Sequence, residues 1–147
     1  MTTYTPPLRD MQFVMHEVLN VAADFATMPV HADMDVDTIN AVLEEGGKFA
    51  TDVLLPINIS GDTESCKLDA VTHEVKTPTG YKEAYAQYIA GGWAALACDP
   101  EFGGQGLPMM LSVAVLEMWN SASVAFCLGP MLTMGAVEAL DKHATDE

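Results

Sequence analysis

Apolar residues recur at helical spacing in two segments of the first half of the chain. Over residues 8 to about 26 they predict one helix with a single buried face, which Met28-Pro29 ends. A second helix is predicted from about Asp37, and Pro56 ends or kinks it. The residues on its predicted buried face are Ile39, Leu43, Gly46, Ala50, Val53 and Leu54. The glycine pair Gly46-Gly47 is costly in a helix, at roughly 1 kcal/mol each relative to alanine. We therefore expect the pair to mark close helix packing.

The middle of the chain is less regular. Residues 57–80 are rich in turn formers, and residues 70–77 predict a small hairpin or extended arm that is marginal by itself. Thr79 is expected to cap a third helix over residues 81–90, which Gly91-Gly92 closes.

The last third is the most apolar part. A fourth helix, from about Pro108 to Asn120, is apolar almost all round, which predicts burial in this chain or against another domain. Ser121-Ala122-Ser123 predicts a break, followed by a short helix over residues 124–128 and another over residues 130 to about 143. No apolar run approaches the length needed to span a bilayer. The pattern predicts an all-α domain of about five or six helices with a small extended segment near residues 70–77.

A glycine-rich connector joins the third helix to the fourth. Residues 93–108 read WAALACDPEFGGQGLP, and the Gly-Gly-Gln-Gly segment allows positive φ and close backbone approach. Pro108 suits the first position of the following helix. The connector matches neither a P-loop nor a dinucleotide fingerprint, so direct phosphate binding is not expected there.

Composition and charge narrow the function classes. A chain of 147 residues suits one domain, and six basic residues face 21 acidic ones for a net charge of −15. This charge argues against nucleic acid or an anionic membrane as partner, and against this chain alone holding the phosphates of CoA or FAD. Cys66, Cys98 and Cys127 form no CxxC pair, which favours a reducing compartment. No signal or transit peptide is recognisable, so the cytoplasm is the expected location.

No catalytic residue or metal ligand is predicted. The four histidines lack metal-ligand spacing. Asp33, Asp35 and Asp37 alternate as in a calcium loop, but Thr38 occupies the position that requires glycine, so a role at a helix N-terminus is favoured. Cys98 has no candidate base and is interpreted as a buried thiol. Asp99 and Glu101 are assigned to a loop and cap role.

Two separated segments resemble one family. Residues 100–106 (PEFGGQG), placed between a helix closed by Gly-Trp and a long helix, resemble the amino-terminal helical domain of FAD-dependent acyl-CoA dehydrogenases. Residues 4–13 (YTPPLRDMQF) resemble a long subgroup of the same family. The resemblance implies that residues 1–147 form that single helical domain, and that the middle β-domain and the carboxy-terminal catalytic helical domain are absent. It also implies that residues 144–147 lead into the β-domain.

The resemblance also implies an overall reaction. An acyl-CoA loses a Cα proton to a glutamate of the carboxy-terminal domain and a Cβ hydride to N5 of FAD, giving the 2-enoyl-CoA. This chain alone is then expected to be inactive and to contribute one wall of the acyl and flavin cavity. The implied partners of the full-length enzyme are the acyl-CoA substrate, electron-transfer flavoprotein as acceptor, and further copies of the chain in a dimer or tetramer. Fatty acid metabolism is the implied setting.

The resemblance places the acyl pocket in the apolar segment after the predicted break. The residues that it assigns to the pocket lining are Phe126, Cys127, Pro130, Met131 and Met134. The residues alone favour ordinary core packing. Two other functions stay open on the sequence: a non-enzymatic helical interaction module, and an acyl-CoA oxidase or flavin monooxygenase component of the same fold.

Overall fold

The chain folds into helices that surround one apolar core. The computed structural model describes residues 3–145. The elements are α1 (Leu8–Gln12), which continues through a wider π-helical stretch (Phe13–Val18), α2 (Val21–Phe25), α3 (Val36–Phe49), a second π-helical stretch (Ala50–Leu54), α4 (Leu55–Glu64), β1 (Lys67–Leu68), β2 (Val75–Lys76), α5 (Tyr81–Ala90), two 3-10 turns (Trp93–Ala95 and Pro100–Phe102) and α6 (Met109–His143). The predicted all-α class is confirmed. Asp146 and Glu147, the end of the predicted junction with a β-domain, lie outside the described residues.

The first predicted helix is wrong as a single element. Asn20 adopts a left-handed conformation (φ 52°, ψ 46°) and separates α2 from the helix before it. Asparagine tolerates this conformation better than most residues. The apolar spacing of the sequence nevertheless extends across the break, because Met15, Ala22 and Phe25 follow one another at intervals of seven and three residues. Apolar spacing alone therefore does not reveal the change in direction.

The second predicted helix begins as expected. The Asp35 side chain accepts a hydrogen bond from the Thr38 backbone N–H at 2.8 Å and caps α3. Hydrogen bonds from Thr38 lower the pKa of Asp35. An N-cap aspartate satisfies a backbone donor that lacks a partner within the helix. The role at a helix N-terminus predicted for the acidic segment is confirmed for Asp35.

The glycine pair in α3 marks close packing, as predicted. A Cβ on Gly46 would lie 3.0 Å from Val115 Cγ2, and one on Gly47 would lie 3.3 Å from Leu8 Cδ2. The indole N–H of Trp119 donates to the backbone carbonyl of Gly46 at 2.9 Å in a buried setting. The absence of side chains therefore allows α6 and α1 to approach α3 directly.

Pro56 was predicted to end or kink the second helix, and the structure shows that helical structure does not end there. The chain passes from α3 through the π-helical stretch into α4, where Pro56 occupies one of the first two positions. Proline is tolerated there because the N–H of a first-turn residue has no partner within the helix. Helical structure therefore continues to Glu64, through a segment that the turn-forming residues predicted to be irregular.

The predicted hairpin exists, but its first strand lies before the predicted range of residues 70–77. β1 and β2 pair antiparallel, with Lys67 opposite Lys76 and Leu68 opposite Val75. The predicted Thr79 cap is wrong, because Gly80 holds the N-cap position of α5 without a side-chain hydrogen bond. Thr79 instead donates from its backbone N–H and its hydroxyl to the Glu64 carboxylate, at 2.8 and 2.9 Å. This contact ties α4 to the start of α5.

The chain reverses direction within α6. Ser123 is non-helical (φ −159°, ψ 86°), which confirms the predicted break. A straight helix would separate Ser112 from Met134 by roughly 33 Å, yet both side chains line the same small cavity. Residues 109–122 and 124–143 therefore form two arms folded against each other, here called the first and second arm. The second arm passes through Pro130 without the predicted restart.

The first arm is buried on one face only, so it is not buried all round within this chain, and burial of its other face against another domain stays a prediction. Leu111, Val115, Met118 and Trp119 belong to the core, whereas Met109, Met110 and Val113 are exposed. By length and composition α6 is apolar enough to cross a membrane, with a mean hydropathy of 1.5 over its most apolar window. That is weak evidence for a membrane, since helices of protein cores meet the same criterion. The length of this apolar helix differs from the expectation that no apolar run is long enough to span a bilayer. Small and hydroxyl residues interrupt the apolar runs in the sequence but do not end the helix.

Candidate functional site

The predicted pocket residues lie along one side of the second arm. Positions 126, 130 and 134, and positions 127, 131 and 134, follow the spacing of three and four residues that aligns side chains on a helix. Phe126 and Cys127 are buried, Pro130 and Met134 are half-buried, and Met131 is 45% exposed. The side therefore runs from the core at its first turn to the surface further along. We call these five residues the apolar stripe.

The buried end of the apolar stripe belongs to an aromatic cluster. The Phe126 ring centroid lies 5.7 Å from that of Tyr81 and 6.2 Å from that of Tyr88. Burial raises the pKa of Cys127 to about 11 and that of Tyr88 to about 12. Both groups are therefore neutral at pH 7, and the Cys127 thiol is not an activated nucleophile. This end contributes shape and apolar surface, not acid–base chemistry.

The outer end of the apolar stripe lies beside further exposed apolar surface. Leu128 and Leu132 are both exposed near Met131. No described residue between 128 and 143 is buried. A methionine side chain is flexible and polarizable, which suits contact with an apolar ligand of variable shape. The stripe therefore offers an apolar wall whose opposite side is not formed by residues 3–145.

Met134 is half-buried and faces the first arm. It lines a cavity of about 10 Å³ together with Tyr88, Trp93, Leu96, Ser112, Val115, Leu116 and Trp119. This volume is too small for an acyl chain, because even one water molecule needs about 10–15 Å³. The structure thus places Met134 and Met131 in different surroundings, although the sequence assigned both to one pocket. The reversal at Ser123, which the sequence marked only as a break, accounts for the difference.

The glycine-rich connector fixes how α5 leads into α6. The backbone N–H groups of Gln105 and Leu107 donate to the carbonyls of Ala95 and Leu96, at 2.9 and 3.0 Å. The Gln105 side chain donates to the Gly92 carbonyl at 2.8 Å. The connector is thus folded onto the segment that follows α5. It sets the starting point of the first arm at Pro108, which is the N-cap residue rather than the first helical residue predicted.

Two acidic residues of the connector have structural roles. The Asp99 carboxylate accepts a hydrogen bond from the Glu101 backbone N–H at 2.8 Å and caps the 3-10 turn, which confirms the predicted cap role.

Cys98 is only half-buried, so its interpretation as a buried thiol is correct only in part. Among residues 3–145 no group of three or more histidine, cysteine, aspartate or glutamate side chains is arranged to hold a metal ion.

The described residues fit one part of the FAD and acyl-CoA complex that the resemblance implies. The apolar stripe is uncharged, so it suits an acyl chain or a flavin edge. A second feature, a group of three lysines at the hairpin, was not predicted from the sequence. The signal was available, because half of the six basic residues fall between positions 67 and 82.

Comparison with known proteins identifies the family. No family model matches the chain. It is 37% identical over 144 residues to 3-methylmercaptopropionyl-CoA dehydrogenase of Ruegeria pomeroyi, covering 98% of this chain and 24% of the relative. It is 28% identical over 145 residues to butyryl-CoA dehydrogenase of Syntrophomonas wolfei, with the same two coverages. It is also 28% identical over 117 residues to the broad-specificity linear acyl-CoA dehydrogenase FadE5 of Mycobacterium tuberculosis, covering 80% of this chain and 19% of the relative.

The chain belongs to the acyl-CoA dehydrogenase family and corresponds to its amino-terminal region. It spans about a quarter of the length of the first two relatives. The likeness of residues 4–13 to a long subgroup agrees with the match to 3-methylmercaptopropionyl-CoA dehydrogenase.

Proposed function

We propose that this chain acts as the amino-terminal helical domain of an FAD-dependent acyl-CoA dehydrogenase, which converts an acyl-CoA to the 2-enoyl-CoA. The observation that carries the proposal is the apolar stripe, which leaves the core at Phe126 and Cys127 and reaches the surface at Met131. An uncharged wall of this kind suits an acyl chain. The three related dehydrogenases support this reading over an oxidase or a monooxygenase component.

The role of this chain is to shape the cavity and exclude water. FAD, when bound, accepts the hydride from Cβ of the acyl group, and the base for the Cα proton comes from another part of the enzyme. The apolar stripe contributes contacts along the acyl tail, away from the reacting carbons. Exclusion of water strengthens the electrostatic interactions that act on the reacting thioester. No glutamate of this chain is assigned to catalysis, and the chain alone is expected to be inactive.

The proposal includes the setting of the whole enzyme. The substrate is an acyl-CoA, the electron acceptor is electron-transfer flavoprotein, and the enzyme is a homo-oligomer in the cytoplasm. Under this proposal the exposed apolar surface of the first arm, which includes Met109, Met110 and Val113, lies against other domains. Covering such surface is favourable by roughly 25 cal/mol per Å².

Replacing Met131 with tryptophan in the full-length enzyme tests the pocket assignment. The larger side chain projects from the exposed part of the apolar stripe and should shorten the space for the acyl tail. We expect kcat/KM for long acyl-CoA substrates to fall by about tenfold or more relative to short ones, since one or two lost methylene contacts already change it 10- to 200-fold. Steady-state kinetics over a series of chain lengths measures the effect.

Leu132→Trp is the matched control. Leu132 neighbours Met131 in sequence but lies outside the apolar stripe and is 73% exposed. We expect the chain-length profile of this variant to follow that of the unmodified enzyme. An unchanged profile in the Met131 variant, or an equal change in both variants, contradicts the assignment.

A further inference from the structure

Half of the basic residues of this acidic chain converge on one surface hollow. The hollow has a volume of about 610 Å³ and is lined by Lys67, Leu68, Asp69, Glu74, Val75, Lys76, Thr77 and Lys82. Lys67 and Lys76 lie on the two strands of the hairpin, and Lys82 lies in the first turn of α5. Two separate elements therefore direct cations toward the same space, in a chain with a net charge of −15.

These three lysines differ from the other two in their pairing. Lys48 forms an ion pair with Glu45, and Lys142 forms one with Asp141 at 2.7 Å. Within residues 3–145, no carboxylate lies within ion-pair distance of the Lys67, Lys76 or Lys82 ammonium groups. In a chain with 21 acidic residues, a cluster of three unpaired cations is a departure from the surrounding pattern.

The hairpin register places two of these cations side by side. Lys67 is directly opposite Lys76 in the antiparallel pair. Directly opposed side chains lie about 4.5–5.5 Å apart at Cβ, and like charges there are destabilising. A two-stranded hairpin is itself only marginally stable. An anion seated between the two ammonium groups would remove the repulsion and stabilise the hairpin.

Two of the three neighbouring carboxylates are held by hydrogen bonds to backbone or hydroxyl donors. All three reduce the net positive charge of the cluster, but none forms an ion pair with a lysine of the hollow. The Glu64 carboxylate accepts both donors of Thr79, which lower its pKa, with smaller contributions from Lys67 and Lys76 in the same direction. The Asp69 carboxylate accepts the backbone N–H groups of Val71 and Thr72, at 2.8 and 2.9 Å, and closes the hairpin turn. Glu74 lines the hollow as well and limits the affinity for an anion.

We propose that the hollow between the hairpin and the start of α5 binds the phosphate or diphosphate group of a small ligand. Lysine ammonium groups bind phosphate as point charges. The volume lies within the range of small-molecule sites. Leu68 and Val75 supply apolar surface at the rim of the same hollow. Two sources carry this chemistry: free inorganic phosphates, and the diphosphate of a nucleotide such as CoA. A free phosphate as ligand goes beyond the proposed function, whereas CoA as ligand rests on it and differs from the expectation that the net charge prevents this chain from holding the phosphates of CoA.

Titration of the ¹⁵N-labelled chain with inorganic diphosphate, and separately with CoA, tests the site. We expect saturable chemical-shift changes at the amides of residues 67–82, and slower amide exchange at the hairpin. The triple variant K67Q/K76Q/K82Q should bind about tenfold more weakly, since exposed charge pairs contribute about 0.2–1 kcal/mol each. Tighter binding of CoA than of diphosphate identifies a nucleotide as the ligand, and equal binding identifies the phosphate group as what the site recognises.

The double variant K48Q/K142Q is the matched control, because it removes two ion-paired lysines outside the hollow. Its affinity should stay within about twofold of the unmodified chain, as for charges remote from a site. Lys82→Gln leaves the strands unchanged and should weaken binding even if the triple variant loses the hairpin. Absence of saturable changes at millimolar diphosphate and CoA, or equal losses in the control and the triple variant, overturns the proposal. The readout is binding to the chain itself, so failure of the proposed dehydrogenase activity does not affect it.

Discussion

Replacing Trp119 with alanine should lower the free energy of unfolding of the chain by about 3–5 kcal/mol, the usual cost of removing a buried aromatic side chain. The Trp119 ring centroid lies 5.1 Å from those of Phe49 and Trp93 and 5.8 Å from that of Tyr88. Its indole N–H also donates to the Gly46 carbonyl in the core. The substitution therefore leaves a cavity at the contact between α3 and α6 and removes the indole hydrogen bond, while the Gly46 carbonyl keeps its bond from the Ala50 backbone N–H. Small domains have only about 5–15 kcal/mol of stability, so this loss is a large share.

Urea denaturation followed by circular dichroism measures the effect, and two variants separate its causes. Trp119→Phe keeps most of the ring volume and removes one of the two hydrogen bonds to the Gly46 carbonyl, so it should cost about 0.5–1.5 kcal/mol. Trp93→Ala removes the half-buried partner ring and should cost less than Trp119→Ala. A larger loss for Trp93→Ala than for Trp119→Ala would show that Trp119 is not the central contact of the core.

Replacing Gly104 with alanine should be the most damaging single change in the connector. A Cβ on Gly104 would lie 2.0 Å from the Cys98 carbonyl oxygen and 2.3 Å from its carbonyl carbon, so backbone must move. That carbonyl also accepts the Gly106 N–H at 2.9 Å, and the movement would break this bond. We expect a loss of about 3 kcal/mol in the free energy of unfolding, in the range of strongly overpacked sites.

Gly103→Ala is the matched control, one residue away. Gly103 has a positive φ of 84°, but a Cβ there would meet no atom within 4 Å. Its substitution should therefore cost only the left-handed strain, about 1–2 kcal/mol. Urea denaturation followed by Trp93 and Trp119 fluorescence compares the two variants. Equal losses at both positions would mean that backbone conformation, and not close approach, explains the glycines.

The sequence predicts those elements whose ends are determined locally. The bounds of α5 follow from its period and from Gly91-Gly92, and the start of α3 follows from the Asp35 cap. The left-handed Asn20 and the π-helical stretch at Ala50–Leu54 leave the apolar spacing intact, so spacing does not detect them. Both change the direction or register of a helix, which tertiary packing determines.

The residue types of the candidate site could be predicted from the sequence, but their arrangement in space could not. The family resemblance, and not the residues alone, marked the apolar segment after Ser123 as a pocket wall, and the five residues assigned to it follow one helical side. The sequence does not show that the helix folds back at Ser123, which brings Met134 against the cavity beside Trp93 while Met131 stays exposed. Only the packing of the second arm against the first determines this division. The lysine hollow depends likewise on the pairing of Lys67 with Lys76.

Anaerobic addition of acyl-CoA to the purified protein encoded by the complete reading frame tests the central claim most directly. The account predicts that the protein carries FAD, that acyl-CoA abolishes the visible absorption of the oxidised flavin, and that one 2-enoyl-CoA forms per flavin reduced. A protein that purifies without flavin, or whose flavin stays oxidised with acyl-CoA substrates of every chain length, would contradict the account.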